Sequence, residues 1–258
     1  KNDFFSQLIE EEERSFTPPI AGQAGDRKEN SRLIEHEVIK AELNGYYVKN
    51  PAGKTAKSVK SYIYLSAGVK KAMESAEKEI AKIFIHTPLK FATSSLVAFK
   101  VLSDIIKKEE GFLIIDIGGE TTEINLIRNS ALEQSASFSK GSNLLFRKIA
   151  AELNTFLQEA PSIVKAYARG HRTLESSDKI AVAIKDSIAE WGDYLKSSLA
   201  GMAKERLLPQ NIFIIGDALA GRFFSSCLER NDFSEFTILR KPFAASKIKP
   251  EWLSRYFK

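Results

Sequence analysis

The chain has 258 residues, 43% hydrophobic, 28% charged and 10% aromatic; this composition excludes a disordered or fibrous chain, and the length suits two modest domains better than one large one. Its 38 basic and 33 acidic residues leave a net charge of +5. No basic run is interleaved with aromatics, so the surplus reads as solvated surface and no nucleic-acid partner is expected.

Asp3 can cap an amphipathic helix that sets Phe4, Phe5, Leu8 and Ile9 against Glu10 to Glu13 and ends near Phe16. Thr17 to Asn30, with Pro18-Pro19, Gly22 and Gly25, reads as a linker. Strand-like runs follow at Glu37 to Leu43, Tyr46 to Val48 and Val59 to Leu65, with a turn at Asn50-Pro51-Ala52-Gly53. The pattern then predicts a helix from about Gly68 to Ile80 and a strand at Ile83 to His86, which close a small α+β unit. Ser95 to Lys107 is apolar over much of its circumference and reads as a buried helix.

Phe112 to Ile127 is strand, tight glycine turn, strand. A further strand is expected at Leu132 to Phe138, then a break at Gly141 and a helix from about Asn143 to Leu153. Helices follow near Ser162 to Ala168 and from about Asp178 to Lys204. The second carries Ile180, Ile184, Ile188, Trp191, Leu195 and Leu199 at helical spacing. That stripe is not a sustained heptad, so it reads as core rather than coiled coil. Asn211 to Ile215 is a short buried strand entering Gly216-Asp217-Ala218, followed by a helix to about Glu229 and a last strand at Phe236 to Leu239.

The single cysteine, Cys227, excludes an intrachain disulfide and suits a reducing compartment such as the cytoplasm. His36, His86 and His171 are far apart with no cysteine cluster beside them, which argues against a zinc site. No apolar stretch approaches the roughly 20 residues of a spanning helix, and no signal-peptide pattern opens the chain. The chain begins at Lys1 rather than methionine, as a piece of a longer protein would.

The chemistry concentrates at Asp116-Ile117-Gly118-Gly119-Glu120-Thr121-Thr122. Glycines at the end of a buried strand let backbone N–H groups approach phosphate oxygens without a Cβ clash. Thr121 and Thr122 can add hydroxyl donors, and Asp116 can hold a hydrated magnesium ion. A plain β-hairpin with a Gly-Gly turn and a surface aspartate accounts for the same residues.

Phe112 to Ile127 resembles the second phosphate loop of the actin-like ATPase superfamily, most closely that of FtsA-type cell-division proteins. Lys140 to Ala150, with Gly141 and Ser142, is similar to the glycine turn and helix that follow it in that family. Ser162 to Gly170 resembles the helix that brings a lysine, here Lys165, towards the nucleoside, and Asn211 to Ala218, with Gly216, Asp217 and Ala218, resembles the adenosine motif. Asn44-Gly45-Tyr46 with Asn50 to Lys54 is similar to the FtsA-type insertion subdomain.

The resemblance runs from about residue 34 to residue 240 and implies an α/β fold: an actin-like, ribonuclease-H-like ATPase lobe with a small α+β insertion subdomain and an incomplete first lobe. It divides the chain into a helix and linker at 1–30, the insertion at 31–93, the second lobe at 94–240 and a tail at 241–258. It also implies ATP and magnesium, the latter on Asp116 through water, at a site of Asp116, Gly118, Gly119, Glu120, Thr121, Thr122, Gly141, Ser142, Lys165, Gly216, Asp217 and Ala218.

Four departures stand out, one of them the stretch between Gly170 and Asp178, far too short for the strand-rich subdomain that FtsA carries at that point. Glu120 takes the place of a third glycine, which puts a negative charge beside the phosphates unless magnesium or a basic neighbour compensates. Asp217 replaces the second glycine of the adenosine motif. The amino-terminal Asp-x-Gly-type loop is missing, so phosphoryl transfer by positioning and charge stabilisation loses half its apparatus, and no catalytic residue is assigned.

The function implied is an FtsA-like adaptor in the cytoplasm, at the inner face of the membrane, linking a division polymer to it. Its partners are proteins of a division or pilus-type assembly, with self-association and peripheral membrane contact. A PilM-type or nucleotide-free structural scaffold is the alternative, and an active form would be an ATPase. A sugar-kinase relative ranks lower, because no substrate constellation with a catalytic base is evident. Lys247 to Lys258, with Trp252, Tyr256 and Phe257, can be a short membrane-surface segment, though it follows the last strand too closely to match the carboxy-terminal helix of FtsA.

Overall fold

Asn44-Gly45 makes the turn on which the amino-terminal sheet is built. Both residues have positive φ, 52° and 84°, as a two-residue hairpin turn that follows the strand twist requires. The Asn44 side chain locks it by accepting the N–H groups of Lys57 and Ser58 at 2.8 and 3.1 Å. On either side run β1 (Ser31–Leu43) and β2 (Tyr46–Tyr47), and β3 (Val59–Val69) pairs antiparallel along the other edge of β1, giving the order β2-β1-β3.

The computed structural model describes residues 3–16, 30–48, 50–51, 53–85, 87–106, 111–170, 174–217, 219–248 and 252. They divide into two compact units, Lys1–Val97 and Ala98–Lys258. The first holds this sheet together with α1 (Asp3–Ser15) and α2 (Lys70–Ile83). Met73 is the buried residue of α2, and an Arg32–Glu77 ion pair at 2.8 Å ties α2 to β1. Glu35 accepts the N–H and hydroxyl of Thr93 at 3.1 and 2.7 Å, fixing the start of α3 (Ser94–Ile105).

The strand expected at Ile83 to His86 does not form. The helix runs on through Ile83, the Phe84 N–H bonds the Ile80 carbonyl at 2.9 Å, and Ile83, Phe84 and Ile85 are exposed. The expected linker lies largely outside the described residues, as do His86, Ala218 and most of the segment after Lys247.

The second unit is a five-stranded sheet, β6-β5-β4-β7-β8, formed by β4 (Phe112–Ile117), β5 (Thr122–Arg128), β6 (Ala131–Phe138), β7 (Asn211–Gly216) and β8 (Ala244–Lys247). The first three strands make an antiparallel meander, while β7 is parallel to both β4 and β8. Five of the six residues of β4 are buried, as expected for a central strand covered on both faces.

One face of the sheet, with Ile115, Ile117, Ile124 and Ile214, packs under α4 (Ser142–Leu153), α5 (Ala160–Ala168), α6 (Leu174–Met202) and α7 (Ala220–Arg230). The stripe expected on α6 is core: Ile180, Ile184, Ile188, Trp191, Leu195 and Leu199 all belong to this cluster. Gly192 lets α7 approach, since a Cβ there would lie 2.7 Å from Cys227 Sγ.

The strand expected at Phe236 to Leu239 is instead a 3-10 turn at Ser234–Phe236 followed by a single bridge from Leu208 to Thr237. The Thr237 hydroxyl donates to the Lys241 carbonyl at 2.7 Å and accepts the Lys241 N–H at 3.1 Å, which curls the chain away from a ladder. The outer strand is β8, formed within the segment expected as a tail.

Candidate nucleotide site

Because β4 and β7 are parallel neighbours, the turns that leave them open on the same edge of the sheet. The register sets Ile117 beside Gly216. A Cβ at Gly216 would stand 2.8 Å from the Ile117 carbonyl oxygen, and its φ is +151°. Glycine is required there both for space and for conformation. The Asp-Ile-Gly-Gly turn and the Ile-Ile-Gly turn, far apart in sequence, are therefore adjacent in space.

The first turn is closed by the Gly118 N–H donating to the Thr121 carbonyl at 2.9 Å. From behind, the N–H groups of Ser142 and Asn143 donate to the carbonyls of Gly118 and Gly119 at 2.8 and 2.9 Å, and the Ser142 hydroxyl adds a bond to Gly118 at 3.2 Å. Donors that a helix start leaves unpaired thus hold the turn. A Cβ at Gly141 would lie 2.4 and 2.6 Å from those same two oxygens, so only glycine lets α4 begin this close.

With its carbonyls tied to α4, the turn keeps its remaining donors outward. The N–H groups of Gly119, Glu120 and Thr121 have no acceptor among the described residues, and all three residues are exposed. Successive free N–H groups in a glycine turn form an anion-binding concavity.

The two threonines divide their work. Thr121 is exposed on the turn, whereas Thr122 is fully buried. The Thr122 hydroxyl donates to the Lys140 carbonyl at 2.7 Å and accepts the Trp191 indole N–H at 2.9 Å. Trp191 also stacks on Phe224 of α7 with centroids 5.1 Å apart. The turn is thereby fixed to α6 and α7. A second brace joins Glu190 of α6 to Lys140 at 2.6 Å and Lys148 at 2.9 Å, and these bonds hold its carboxyl below the ordinary range.

Glu120 has the basic neighbour its charge requires. Arg147 grips its carboxylate with two bonds of 2.9 Å, and the Asn143 amide adds a third of 2.9 Å. The guanidinium and amide bonds together pull its pKa down to about 2. Asn143 and Arg147 were not among the residues expected from the sequence. Their spacing of four on a helix that starts at this turn was the available signal, since it puts both on one face.

Asp116 is half-buried at the end of β4, and Glu123 stands directly opposite it in the ladder. Like charges placed directly opposite repel one another. Glu123 is held by the Asn125 amide at 2.8 Å. This pair fits magnesium, which takes one or two carboxylates and keeps several waters; the exposed N–H groups fit a polyphosphate.

In the second turn, the Asp217 carboxylate accepts the N–H groups of Leu219 and Ala220, each at 2.8 Å, and so caps α7. Its departure from glycine has this structural use. Lys165 is exposed on α5, a helix that packs on α4 and α6. Ala218 lies outside the described residues. Among the described residues no group of three or more metal-ligating side chains is present and no helix is long and apolar enough to cross a membrane.

The whole chain superposes on a chain of the PilM–PilN type IV pilus biogenesis complex with a TM-score of 0.65 over 98% of its length, at 15% identity. The chain has the actin-like ATPase fold. In sequence, the cell division protein FtsA of Neisseria meningitidis serogroup B is 23% identical over 138 residues, 54% of this chain. A looser likeness is to Ta0583, an archaeal actin homolog, at 15% identity and a TM-score of 0.46, over 86% of each chain. No protein-family model matches. This actin-like chain spans 32% of the FtsA protein and 63% of the pilus chain.

Proposed function

We propose that this chain is an actin-like nucleotide-binding scaffold of the FtsA and PilM kind, which holds ATP with magnesium and links protein partners in a membrane-associated assembly. The observation that carries the reading is the closeness of the two turns. Gly216 touches the Ile117 carbonyl edge, and beside it Gly119, Glu120 and Thr121 present unpaired N–H groups. The phosphates take those donors, Asp116 with Glu123 holds the hydrated ion, and the Gly216-Asp217-Ala218 turn backs the nucleoside, with Lys165 assigned to it by family likeness alone.

The adaptor role rests on resemblance to FtsA, a cell division protein by name, and on the likeness to the pilus biogenesis complex. Division-type and pilus-type assemblies are both consistent with it. The site at the inner face of the membrane, the self-association and the peripheral membrane contact belong to the same reading. The expected division of the chain into insertion subdomain and second lobe is part of it too.

A nucleotide-free scaffold is the second reading. It is favoured by Thr122 turned wholly into the core and by Asp217 spent on capping α7. Calorimetric titration of ATP with magnesium into the chain separates the two. Saturable binding that weakens about tenfold or more in Asp116→Ala, a loss of about 1.4 kcal/mol, supports nucleotide binding. No binding by a chain that circular dichroism shows to be folded overturns it.

A further inference from the structure

Between α6 and α7 lies a groove of about 410 Å³, away from the two turns' contacts. Its floor is apolar: Ile184 and Ile188 from α6, Phe223 from α7 and Tyr167 from α5. Its rim is cationic, with Lys185 on one wall and Arg222 and Arg230 on the other, and no aspartate or glutamate lines it.

Several other cations of this unit are neutralised in ion pairs. Lys140, Arg147 and Lys148 are each paired with a carboxylate. Lys185, Arg222 and Arg230 are exposed and have no ion pair among the described residues. Arg222, Ser226 and Arg230 follow at intervals of four along one face of α7, as Ile184 and Ile188 do on α6. The groove therefore runs along the helices for about two turns, roughly 12 Å.

We propose that this groove docks an acidic amphipathic helix of a protein partner. Apolar residues spaced three or four apart fill the floor, and glutamates or aspartates on the flanks of that stripe meet Lys185 on one side and Arg222 and Arg230 on the other. A concave seat with an apolar floor suits a helix better than the flat surface of a bilayer. The proposal rests on the scaffold part of the function above and is independent of nucleotide.

The test is fluorescence anisotropy of the full chain with a labelled 16-residue peptide carrying Leu at i, i+3, i+4 and i+7 and Glu on the flanks, against its Lys-flanked counterpart. Saturable binding of the Glu peptide alone, weakened roughly tenfold or more by Lys185→Glu with Arg230→Glu and by added salt, supports the proposal. Both positions are exposed, so the fold tolerates the change, and ATP titration of the variant should match the parent. That match keeps failure here distinct from failure of the nucleotide reading.

The proposal is overturned by any of three results. The first is no saturable binding below about 1 mM. The second is equal binding to the parent and the double variant. The third is that the double substitution abolishes instead either self-association of the chain in sedimentation or its binding to phosphatidylglycerol vesicles.

Discussion

Glu120 bears most directly on whether the turn accepts phosphate. Its carboxyl, held at about 2 against an ordinary 4.5, binds its proton less readily when folded. The clasp on Arg147 and Asn143 therefore stabilises the fold fully above about 4.5 and is lost as pH falls towards 2. The carboxyl-carbon resonance of Glu120 should titrate with a midpoint near 2, and the stability difference between the parent and Glu120→Gln should vanish in the same window. A midpoint near 4.5 would mean that the clasp does not form in solution.

The glycines make a second residue-scale prediction. Gly141→Ala drives a Cβ into two carbonyl oxygens, and Gly216→Ala meets both a carbonyl and an unfavourable φ. Each should cost about 1–3 kcal/mol in urea unfolding. Gly45→Ala, with φ +84° but open space around it, should cost about 1 kcal/mol. Equal costs at all three positions would show that close packing at the turns is not tight.

At the scale of elements, Trp191 is the joint between the turn and the helical layer. Thr122→Val leaves the indole N–H without its buried acceptor, so a loss of about 1–3 kcal/mol is expected by thermal or urea unfolding. The tryptophan emission should also change, because Trp191 is fully buried on this bond and against Phe224. An unchanged spectrum and stability would remove the brace from the account.

The hairpin of β4 and β5 was legible because an apolar run ending in a charge, two glycines and hydroxyls has few foldings. The stripe of α6 was legible from its period. β8 was not, because Ala244 to Lys247 is exposed and lacks β-formers, and backbone pairing to β7 alone makes it a strand. Ile83 to Ile85 misled in the opposite sense, its strand-forming residues being carried on the end of a helix. Within the site, the clasp of Glu120 by Arg147 joins residues distant in sequence, and Asp217 as a helix cap was hidden because the adenosine motif has a glycine at that place, so its carboxylate read only as a departure.

At the scale of the whole molecule, the actin-like fold gives this chain one wall of paired turns, and the account stands on those turns acting together on one ligand. A backbone amide spectrum of the isotope-labelled chain, recorded while ATP and magnesium are added, examines this directly. Shifts are expected to cluster at Gly119, Glu120 and Thr121 and, in the same titration, at Gly216 and Asp217, with both sets weakening together in Asp116→Ala. Shifts confined to one turn, or scattered over surfaces remote from both, would contradict that joint action.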